Sequence, residues 1–532
     1  MIDRVCRMVK DKNVEAQITE DADVAALEQL GYEQELKREW TVLHNFGASF
    51  SIISIITGIT TLFSYGLTTG GPAVMSIGWL VVNFFTMMVG LAMAEIVSSV
   101  PTSGGPYYWA AILSKPNWAP FASWLTGWYN LLGQVGVTTG VSFGLAQLIT
   151  TTATVKSESF EPTAAKTVGI YAAILVSHGL INTFGVGTLK YFNNSSIILH
   201  SLGVCTICIS VLAKAPTHQS AKFVFAKFND MTSVDDSPTW GERTSPAYVA
   251  IIGLLMSQYT ITGFDASAHM SEETTNAAWS APIGVITSIG CSFVFGFFVI
   301  LSLLFSIQDF DALINSKYDQ PVLTILIDLF GENGALVLMT LILVCVWHCG
   351  LFCLTSNSRM MFAFARDGGI PQFFNNVDKR FQSPIRTVWL AAFLSFCLAL
   401  PSLGSEVAFS AATSIATVGL YISYALPVLV GLLFPKYFRK GPFDLGKFSK
   451  PVAILCCLWV LFITIVFCLP SQTPVNSQTL NYTAVAVAIV GGGALFAWFV
   501  SARKWFTGPV RPLDEQAVDE KLNGLTVNEV AN

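Results

Sequence analysis

Long apolar runs alternate with short charged segments along most of the chain. The window from Trp40 to Ala94 contains no Asp, Glu, Lys or Arg before Glu95. A membrane-spanning helix needs about 20 apolar residues, so this window predicts two spans separated by a turn at residues 70–72. Ten further apolar runs lie near residues 120–150, 168–187, 191–213, 247–270, 280–306, 334–358, 387–403, 407–434, 451–470 and 483–502. The pattern predicts an all-α integral membrane protein with about twelve transmembrane helices.

Composition agrees with this architecture. Hydrophobic residues make up 53% of the 532 residues and charged residues only 12%, whereas soluble domains carry about 25% charged residues. The net charge of −5 and the lack of a basic run give no indication of a nucleic acid partner. The expected surroundings are membrane lipid.

Lys and Arg concentrate in the loops on one side of the predicted bundle, including residues 359–386 and 436–450. Because positively charged loops stay in the cytosol, we predict that both termini are cytosolic. Asn481-Tyr482-Thr483 then forms a glycosylation sequon in an external loop. No targeting signal is readable, so the plasma membrane is the expected location and the vacuolar membrane is the alternative.

The tripeptide Ile-Thr-Gly occurs at residues 56–58 in the first predicted helix and at residues 261–263 in the sixth. Gly costs about 1 kcal/mol relative to Ala inside a helix, and unwound backbone is tolerated at membrane depth only where it lines a cavity. Paired interruptions in the two halves of a transporter mark its solute site. Since five helices separate the copies, they enter the membrane from opposite sides, as an inverted repeat requires. Chance recurrence is the alternative.

The repeat divides the chain into predicted units, which run from a cytosolic tail through two repeats to two extra helices and a second tail. In chain order these are 1–40 (tail), 41–215 (first five-helix repeat), 216–246 (external loop), 247–434 (second repeat), 451–505 (two added helices) and 506–532 (tail).

Four sequence strings carry a resemblance to a known family. They are AEIVSSVPTSGGPYYW at 94–109, LTGW at 125–128, GFDASAHMSEETTNA at 263–277 and SNSRMMFAFARDGGIP at 356–371. Together they resemble, in the family's order, the amino acid–polyamine–organocation (APC) superfamily, with its amino acid/choline transporter branch as the nearest fit. The resemblance implies a leucine-transporter-type fold with two inverted five-helix repeats and broken first and sixth helices.

The resemblance also implies a function. The family carries amino acids, γ-aminobutyrate (GABA), choline, polyamines and some vitamins. We therefore expect a secondary active permease for an amino acid or a GABA-like solute, working by alternating access, with protons as the coupling ion.

The two predicted breaks supply the predicted solute site. The N-terminus of a helix presents free N–H groups and a partial positive charge, so the backbone at Thr57, Gly58 and Ile59 is expected to hold a carboxylate. Carbonyl groups at Ile261 and Thr262, just before Gly263, are expected to hold an ammonium group. The resemblance places the ring of Phe264 as a gate over the solute, and ordinary packing is the alternative.

Asp265 is an acidic residue at membrane depth, and such residues are functional candidates. Because Asp265 directly follows the break, we predict that its side chain caps the helix that begins at Ala266 or takes part in gating. Direct contact with a solute cation is the alternative.

Five further residues are candidates for proton coupling or gating: Glu95, Tyr107, Tyr108, His200 and Arg359. Histidine titrates near neutral pH, and the resemblance puts His200 about where some proton-coupled relatives place a lysine that substitutes for a sodium ion; neutral packing is the alternative. Glu95 is expected to relay a proton or pair with a basic residue, or else to be structural. Tyr107 and Tyr108 are expected to shape the cytosolic gate, and Arg359 to close it.

Two other function classes stay open. A carrier of choline, a polyamine or thiamine would use Asp265, Phe264 and Tyr259 for cation binding, and a nutrient sensor would bind a solute without moving it. The sequence has no metal-ligand spacing in a plausible site, no phosphate loop and no paired histidines at cofactor spacing. We therefore expect no metal, no cofactor and no enzymatic activity.

Overall fold

The computed structural model describes residues 23–157, 159–184, 186–404 and 408–510, and these residues form helices joined by turns, with no β-strand. The helices are α1 (Val42–Ile53), α2 (Ile55–Thr68), α3 (Gly71–Ser99), α4 (Pro106–Ile112), α5 (Ala119–Ala153), α6 (Ala164–Thr183), α7 (Val186–Lys214), α8 (Ala221–Ala226), α9 (Trp240–Arg243), α10 (Pro246–Gly253), α11 (Leu255–Thr260), α12 (Ala266–His269), α13 (Ala277–Ser306), α14 (Phe310–Ile314), α15 (Pro321–Arg366), α16 (Ile385–Ala399), α17 (Ala408–Leu433), α18 (Ser449–Val466) and α19 (Thr483–Val500). The predicted all-α architecture is confirmed. The tail residues 1–22 and 511–532 lie outside the described residues.

Eleven helices among the described residues are long and apolar enough to cross a membrane, counting α1 and α2 as one span. The remaining predicted span, 247–270, coincides with three short helices, α10 to α12, each too short to cross alone. The chain is therefore a multi-pass membrane protein. The count of twelve and the inverted repeat stay predictions.

Local sequence explains several helix boundaries. Gly70 and Gly71 have φ of 96° and 69°, a conformation that only glycine adopts at low cost, and Pro72 starts α3 where a missing N–H does no harm. Helix α15 has 46 residues, and Gly331 (φ 67°, ψ 173°) bends it just before the predicted span at 334–358.

Helix α5 lies in the core and packs closely against α17. Small residues make this possible: a Cβ on Gly136 would lie 2.8 Å from the Cα of Ala416. Close backbone approach at glycines is the usual way for membrane helices to pack, since lipid supplies no hydrophobic drive. The pair α5 and α17 therefore forms a rigid wall, and it is this wall that faces the second helix break.

Candidate solute site at the two helix breaks

The first break is at Ser54, between α1 and α2, where φ is 25° and ψ is 79°. Such a backbone conformation is costly for a residue other than glycine, and it persists at functional sites. The N–H of Gly58 donates to the carbonyl of Ser54 at 3.1 Å, so the Ile-Thr-Gly at 56–58 lies inside the first turn of α2. The tripeptide therefore marks the turn that follows the break.

Because α2 begins before the tripeptide, its free N–H groups are not the set predicted from the sequence. The first turn of a helix leaves its N–H groups without helical partners, and here that turn begins at Ile55. The N–H groups available for a carboxylate are thus those of Ile55, Ile56 and Thr57, whereas Gly58 and Ile59 lie further into the helix. The small polar Ser54 before two isoleucines was the sequence signal for this start.

The second break runs from Ile261 to Asp265, between α11 and α12, and coincides with the second Ile-Thr-Gly. Gly263 has a φ of 91°, which explains the glycine. The carbonyl of Ile261, one of the two predicted for an ammonium group, already accepts a hydrogen bond from the Tyr421 hydroxyl at 2.7 Å. The Thr262 hydroxyl donates to the Gln258 carbonyl at 2.6 Å.

The two breaks meet at Gly58. A Cβ at this position would lie 2.7 Å from the Cα of Thr260, so only glycine permits this approach. Between the breaks is a cavity with free space of about 10 Å³, which is roughly the space for one water. It is lined by Ile52, Ile53, Thr57, Gly58, Val137, Val141, Tyr259, Thr260 and Thr262. The candidate solute site is therefore contracted in this structure.

The hydroxyl of Tyr259 has no hydrogen-bond partner among the described residues, although the side chain is buried and lines this cavity. An unpaired buried hydroxyl costs about 1–3 kcal/mol. A polar solute group in the cavity would remove that cost. Tyr259 thus lines the candidate site, although the sequence analysis named it only for the alternative of a cation carrier.

Phe264 is fully buried and packs against two tyrosine rings of α17, with ring centroids 6.1 Å from Tyr421 and 5.0 Å from Tyr424. It lies beside the cavity and is not one of its lining residues. In this contracted form Phe264 therefore packs as part of the wall.

The prediction that the Asp265 side chain caps a helix is wrong, because this side chain makes no capping hydrogen bond to α12. Its Oδ1 accepts from the Tyr424 hydroxyl at 2.7 Å and its Oδ2 from the Gln134 amide at 2.9 Å. These donors come from α17 and α5, so packing across the bundle supplies a stronger set of partners than the adjacent helix end.

His269, one turn after Asp265, was not among the predicted site residues. Its Nε2 lies 3.2 Å from Oδ2 of Asp265, and its Nδ1 lies 2.8 Å from the carbonyl oxygen of Ser103. Both ionisable side chains are completely buried. The i, i+4 spacing of Asp265 and His269 in the sequence was the signal that could have revealed the pair.

His200 lies against the first break. Its Nε2 is 2.8 Å from the Ser54 hydroxyl, which in turn is 2.5 Å from the Thr57 hydroxyl. Its Nδ1 is 2.9 Å from the Ser196 carbonyl. The structure thus connects His200 to the residue at which the first helix breaks.

One end of the bundle, here called the terminal face, carries the N-terminal segment 27–40 and two buried ion pairs. Glu273 accepts from Arg359 at 2.8 Å, and both side chains are fully buried. Glu272 accepts from both terminal nitrogens of Arg366, at 3.0 and 3.1 Å. Burial raises the pKa of Glu272, but the Arg366 guanidinium outweighs that effect and holds this pKa below its usual value. The terminal face is therefore sealed by charge pairs.

Tyr107 and Tyr108 belong to this seal. The Tyr107 hydroxyl donates to Asp367 at 2.8 Å, and the Tyr108 hydroxyl to the Leu30 carbonyl at 3.1 Å. Tyr32 also donates to Asp367. Burial raises the pKa of Asp367 to about 6, against the lowering effect of Arg366 and the two hydroxyls.

Glu95 lies apart from the breaks. Its carboxylate accepts from the Ser449 hydroxyl at 2.7 Å and the Leu445 N–H at 3.2 Å, with Lys440 at 4.0 Å. It borders a cavity of about 310 Å³ that shares no lining residue with the cavity between the breaks. In this structure Glu95 anchors the loop before α18.

These features are those of one class of membrane protein. A multi-pass bundle in which two interrupted helices meet around a small cavity, with one end sealed by buried ion pairs, is typical of secondary transporters.

Comparison with known proteins identifies the family within that class. Residues 43–493 match the model of the family described as "Amino acid permease". The chain is 46% identical over 510 residues to the amino-acid permease BAT1 homolog of Oryza sativa subsp. japonica (93% of this chain, 96% of the relative). It is 43% identical to the amino-acid permease BAT1 of Arabidopsis thaliana (92% and 96%) and 30% identical to the GABA-specific permease of Saccharomyces cerevisiae (96% and 89%). The chain belongs to the amino acid permease family of the APC superfamily, and the predictions of family and of a permease rather than an enzyme are confirmed.

Proposed function

We propose that the chain is a secondary active transporter for an amino acid or a GABA-like solute. The observation that carries this proposal is the cavity between the two breaks, which is lined by Thr57 in the first turn of α2 and by Tyr259 and Thr260 at the end of α11. Free N–H groups attract a carboxylate, and the unpaired Tyr259 hydroxyl offers a further polar contact. The permease names of these relatives support the same class of solute.

The ammonium end of the solute is assigned to the Thr262 backbone and the Tyr259 ring, since Tyr421 already occupies the Ile261 carbonyl. Gly263 allows the backbone to turn at this point, and Phe264 is assigned the gating movement. In the contracted form Phe264 packs on Tyr424, and the solute enters when this packing loosens.

A zwitterionic solute is favoured over a purely cationic one. A choline, polyamine or thiamine carrier needs a carboxylate that is free to meet the cation. Asp265 is completely buried, accepts hydrogen bonds from Tyr424 and Gln134 and lies 3.2 Å from His269, so these neighbours hold it away from a solute cation.

We assign the terminal face to the cytosol and transport to the plasma membrane, driven by protons. The orientation follows from the excess of Lys and Arg in the loops on that side. The structure then corresponds to a form closed toward the cytosol, with Arg359, Tyr107 and Tyr108 as gate residues. Opening requires the Glu272 and Glu273 ion pairs to separate.

In this proposal His200 is a positioning residue. Its contacts with Ser54 and Ser196 fix the first break and thereby the N–H groups that hold the carboxylate. Glu95 holds the loop before α18 and does not contact the solute.

Counterflow in proteoliposomes tests the function. Vesicles with the purified full chain, loaded with unlabelled GABA or an amino acid, should take up the labelled solute transiently. Absence of counterflow for every amino acid and for GABA would contradict the proposal. Binding without counterflow would instead identify a sensor.

A further inference from the structure

The second break contains a pair of buried groups that the proposed transport does not yet use, Asp265 and His269. The pair lies where the unwound segment joins α12, three residues after Thr262, which lines the solute cavity. The hydrogen bonds around it determine how many protons it carries.

The Nδ1 atom of His269 must bear a proton. Its partner, 2.8 Å away, is the backbone carbonyl oxygen of Ser103, and a carbonyl oxygen only accepts. A neutral imidazole protonated at Nδ1 has a lone pair at Nε2. That lone pair would point at Oδ2 of Asp265, 3.2 Å away.

Two lone pairs facing each other in a buried site repel, so this contact requires one more proton. Either Nε2 carries it and an imidazolium meets a carboxylate, or Oδ2 carries it and the carboxyl group donates to Nε2. In both cases the pair is neutral overall. A deprotonated pair would leave a net charge in a site with no water-accessible surface, which is costly.

The groups around the pair supply no other compensating cation. Asp265 has no Lys or Arg within ion-pair distance among the described residues, while Glu272 and Glu273 are paired with Arg366 and Arg359. The groups that face the pair are Tyr424 from α17, the Cys353 thiol from α15 and the neutral Gln134 and Asn130 from α5. The neutral Asn45 and Ser49 of α1 contact Ser267, which lies between the two residues of the pair.

The same contacts connect the proton to the gate. Ser103 lies in the loop before α4, and its N–H donates to Glu272 at 3.0 Å while its carbonyl accepts from His269. This loop is therefore held by Glu272 of the closed terminal face through the Ser103 N–H and by His269 through the Ser103 carbonyl. When the face opens, Nδ1 of His269 loses its acceptor, and the reason for the extra proton disappears.

We propose that Asp265 and His269 together form the proton-binding site of the transporter, taking up one proton when the terminal face is closed and releasing it when the Ser103 loop withdraws. This inference rests on the proposed transport function and adds the site of its coupling ion. The step is a proton transfer only, with water on each side of the membrane as donor and acceptor.

The test uses full-length protein in proteoliposomes, with GABA or the amino acid that gives counterflow as the probe. A gradient of one pH unit supports at most about tenfold accumulation for one proton per solute. The wild type should approach that ratio when the membrane potential is clamped at zero. Asp265→Asn and His269→Gln should keep counterflow but reach a ratio of about one.

A matched control is His348→Gln. His348 is also buried and contacts the Val344 carbonyl and the Ser195 hydroxyl, without a carboxylate. This variant should accumulate solute like the wild type. Retention of pH-driven accumulation by both Asp265→Asn and His269→Gln would overturn the proposal.

Infrared difference spectra of the wild type cover the case in which the variants do not fold. Solute addition should change carboxyl or imidazolium bands, and ring-labelled histidine should shift the imidazolium part. Spectra with neither change would overturn the proposal. Failure of the wild type in counterflow would instead contradict the transport function, whereas counterflow without any proton entry would contradict this inference and the proton coupling but leave the assignment as a transporter intact.

Discussion

The two helix breaks share a tripeptide and a buried histidine but differ in what surrounds that histidine. At the first break, His200 contacts a hydroxyl and a carbonyl. At the second, His269 contacts a carboxylate and a carbonyl. A hydroxyl both donates and accepts, so neutral His200 is satisfied. A carboxylate only accepts, and His269 therefore requires an additional proton.

This difference suggests a division of labour. In the proposed function, the first break has neutral polar partners and free N–H groups and would bind the carboxylate of the solute at any proton occupancy. The second break would store a proton beside the backbone that meets the other end of the solute. Under this proposal, two structurally similar interruptions serve two ligands.

The largest expected effect comes from the glycines that both breaks require. Gly58→Ala would place a Cβ 2.7 Å from the Cα of Thr260, and Gly263→Ala would force a side chain into a φ of 91°. Displacement of about 1 Å in a binding site costs about 100-fold in activity, and we expect counterflow to fall by about that factor for each.

The matched control is Gly492→Ala, since a Cβ there meets nothing within 4 Å. It should transport normally. Normal counterflow in Gly58→Ala would mean that the two breaks do not form the solute site.

The next largest effect is expected for a substitution of His200, and it distinguishes the role of His200 from that of His269. His200→Gln removes a contact that holds Ser54, so we expect about a tenfold weaker solute affinity in a binding assay, a loss typical of one buried hydrogen bond. Its pH-driven accumulation should persist. Loss of accumulation in His200→Gln with full affinity would transfer the proton site to the first break.

A smaller effect is expected at the cavity wall. Tyr259→Phe removes the unpaired hydroxyl and should weaken solute affinity about three- to tenfold, because that hydroxyl gains a partner only when solute is bound. Tyr171→Phe is the control, since its hydroxyl donates to the Ser395 carbonyl away from the breaks. Equal affinities of wild type and Tyr259→Phe would remove this residue from the site.

The smallest effect concerns the pH dependence of the terminal face. Burial raises the pKa of Asp367 to about 6 from an ordinary 3.8, so the closed face favours the protonated form. Its stabilising contribution is complete below about pH 3.8 and is lost as pH rises through about 6. Asp367→Asn should flatten this dependence, measured as thermal unfolding between pH 4 and 8, with a shift of about 2–4 °C. An unchanged profile would show that Asp367 does not titrate there.

Most of the helices could be predicted from the sequence because hydrocarbon thickness imposes the length of apolar runs. The second break was predictable because its backbone needs a left-handed φ that favours glycine, so Gly263 marks the break in the sequence. The first break was misplaced by a few residues, since it occurs at Ser54, a residue whose strained conformation depends on the contacts with His200 and Thr57.

The partners of Asp265 could not be predicted. Gln134 and Tyr424 are 131 and 159 positions away in the chain, and only the packing of α5 and α17 against the break brings them close. Local sequence favoured a helix cap for this Asp, whereas tertiary contacts supplied better donors. The pairing of Glu272 and Glu273 with Arg366 and Arg359 depends on packing in the same way.

The most direct test of Asp265 and His269 as the proton site counts protons and solute molecules that enter the same vesicles. A pH-sensitive dye and a labelled solute, followed together, should give about one proton per solute for the wild type and for His200→Gln. For His269→Gln we expect solute counterflow without proton entry. Equal proton entry in His269→Gln and wild type would contradict the assignment of this proton site.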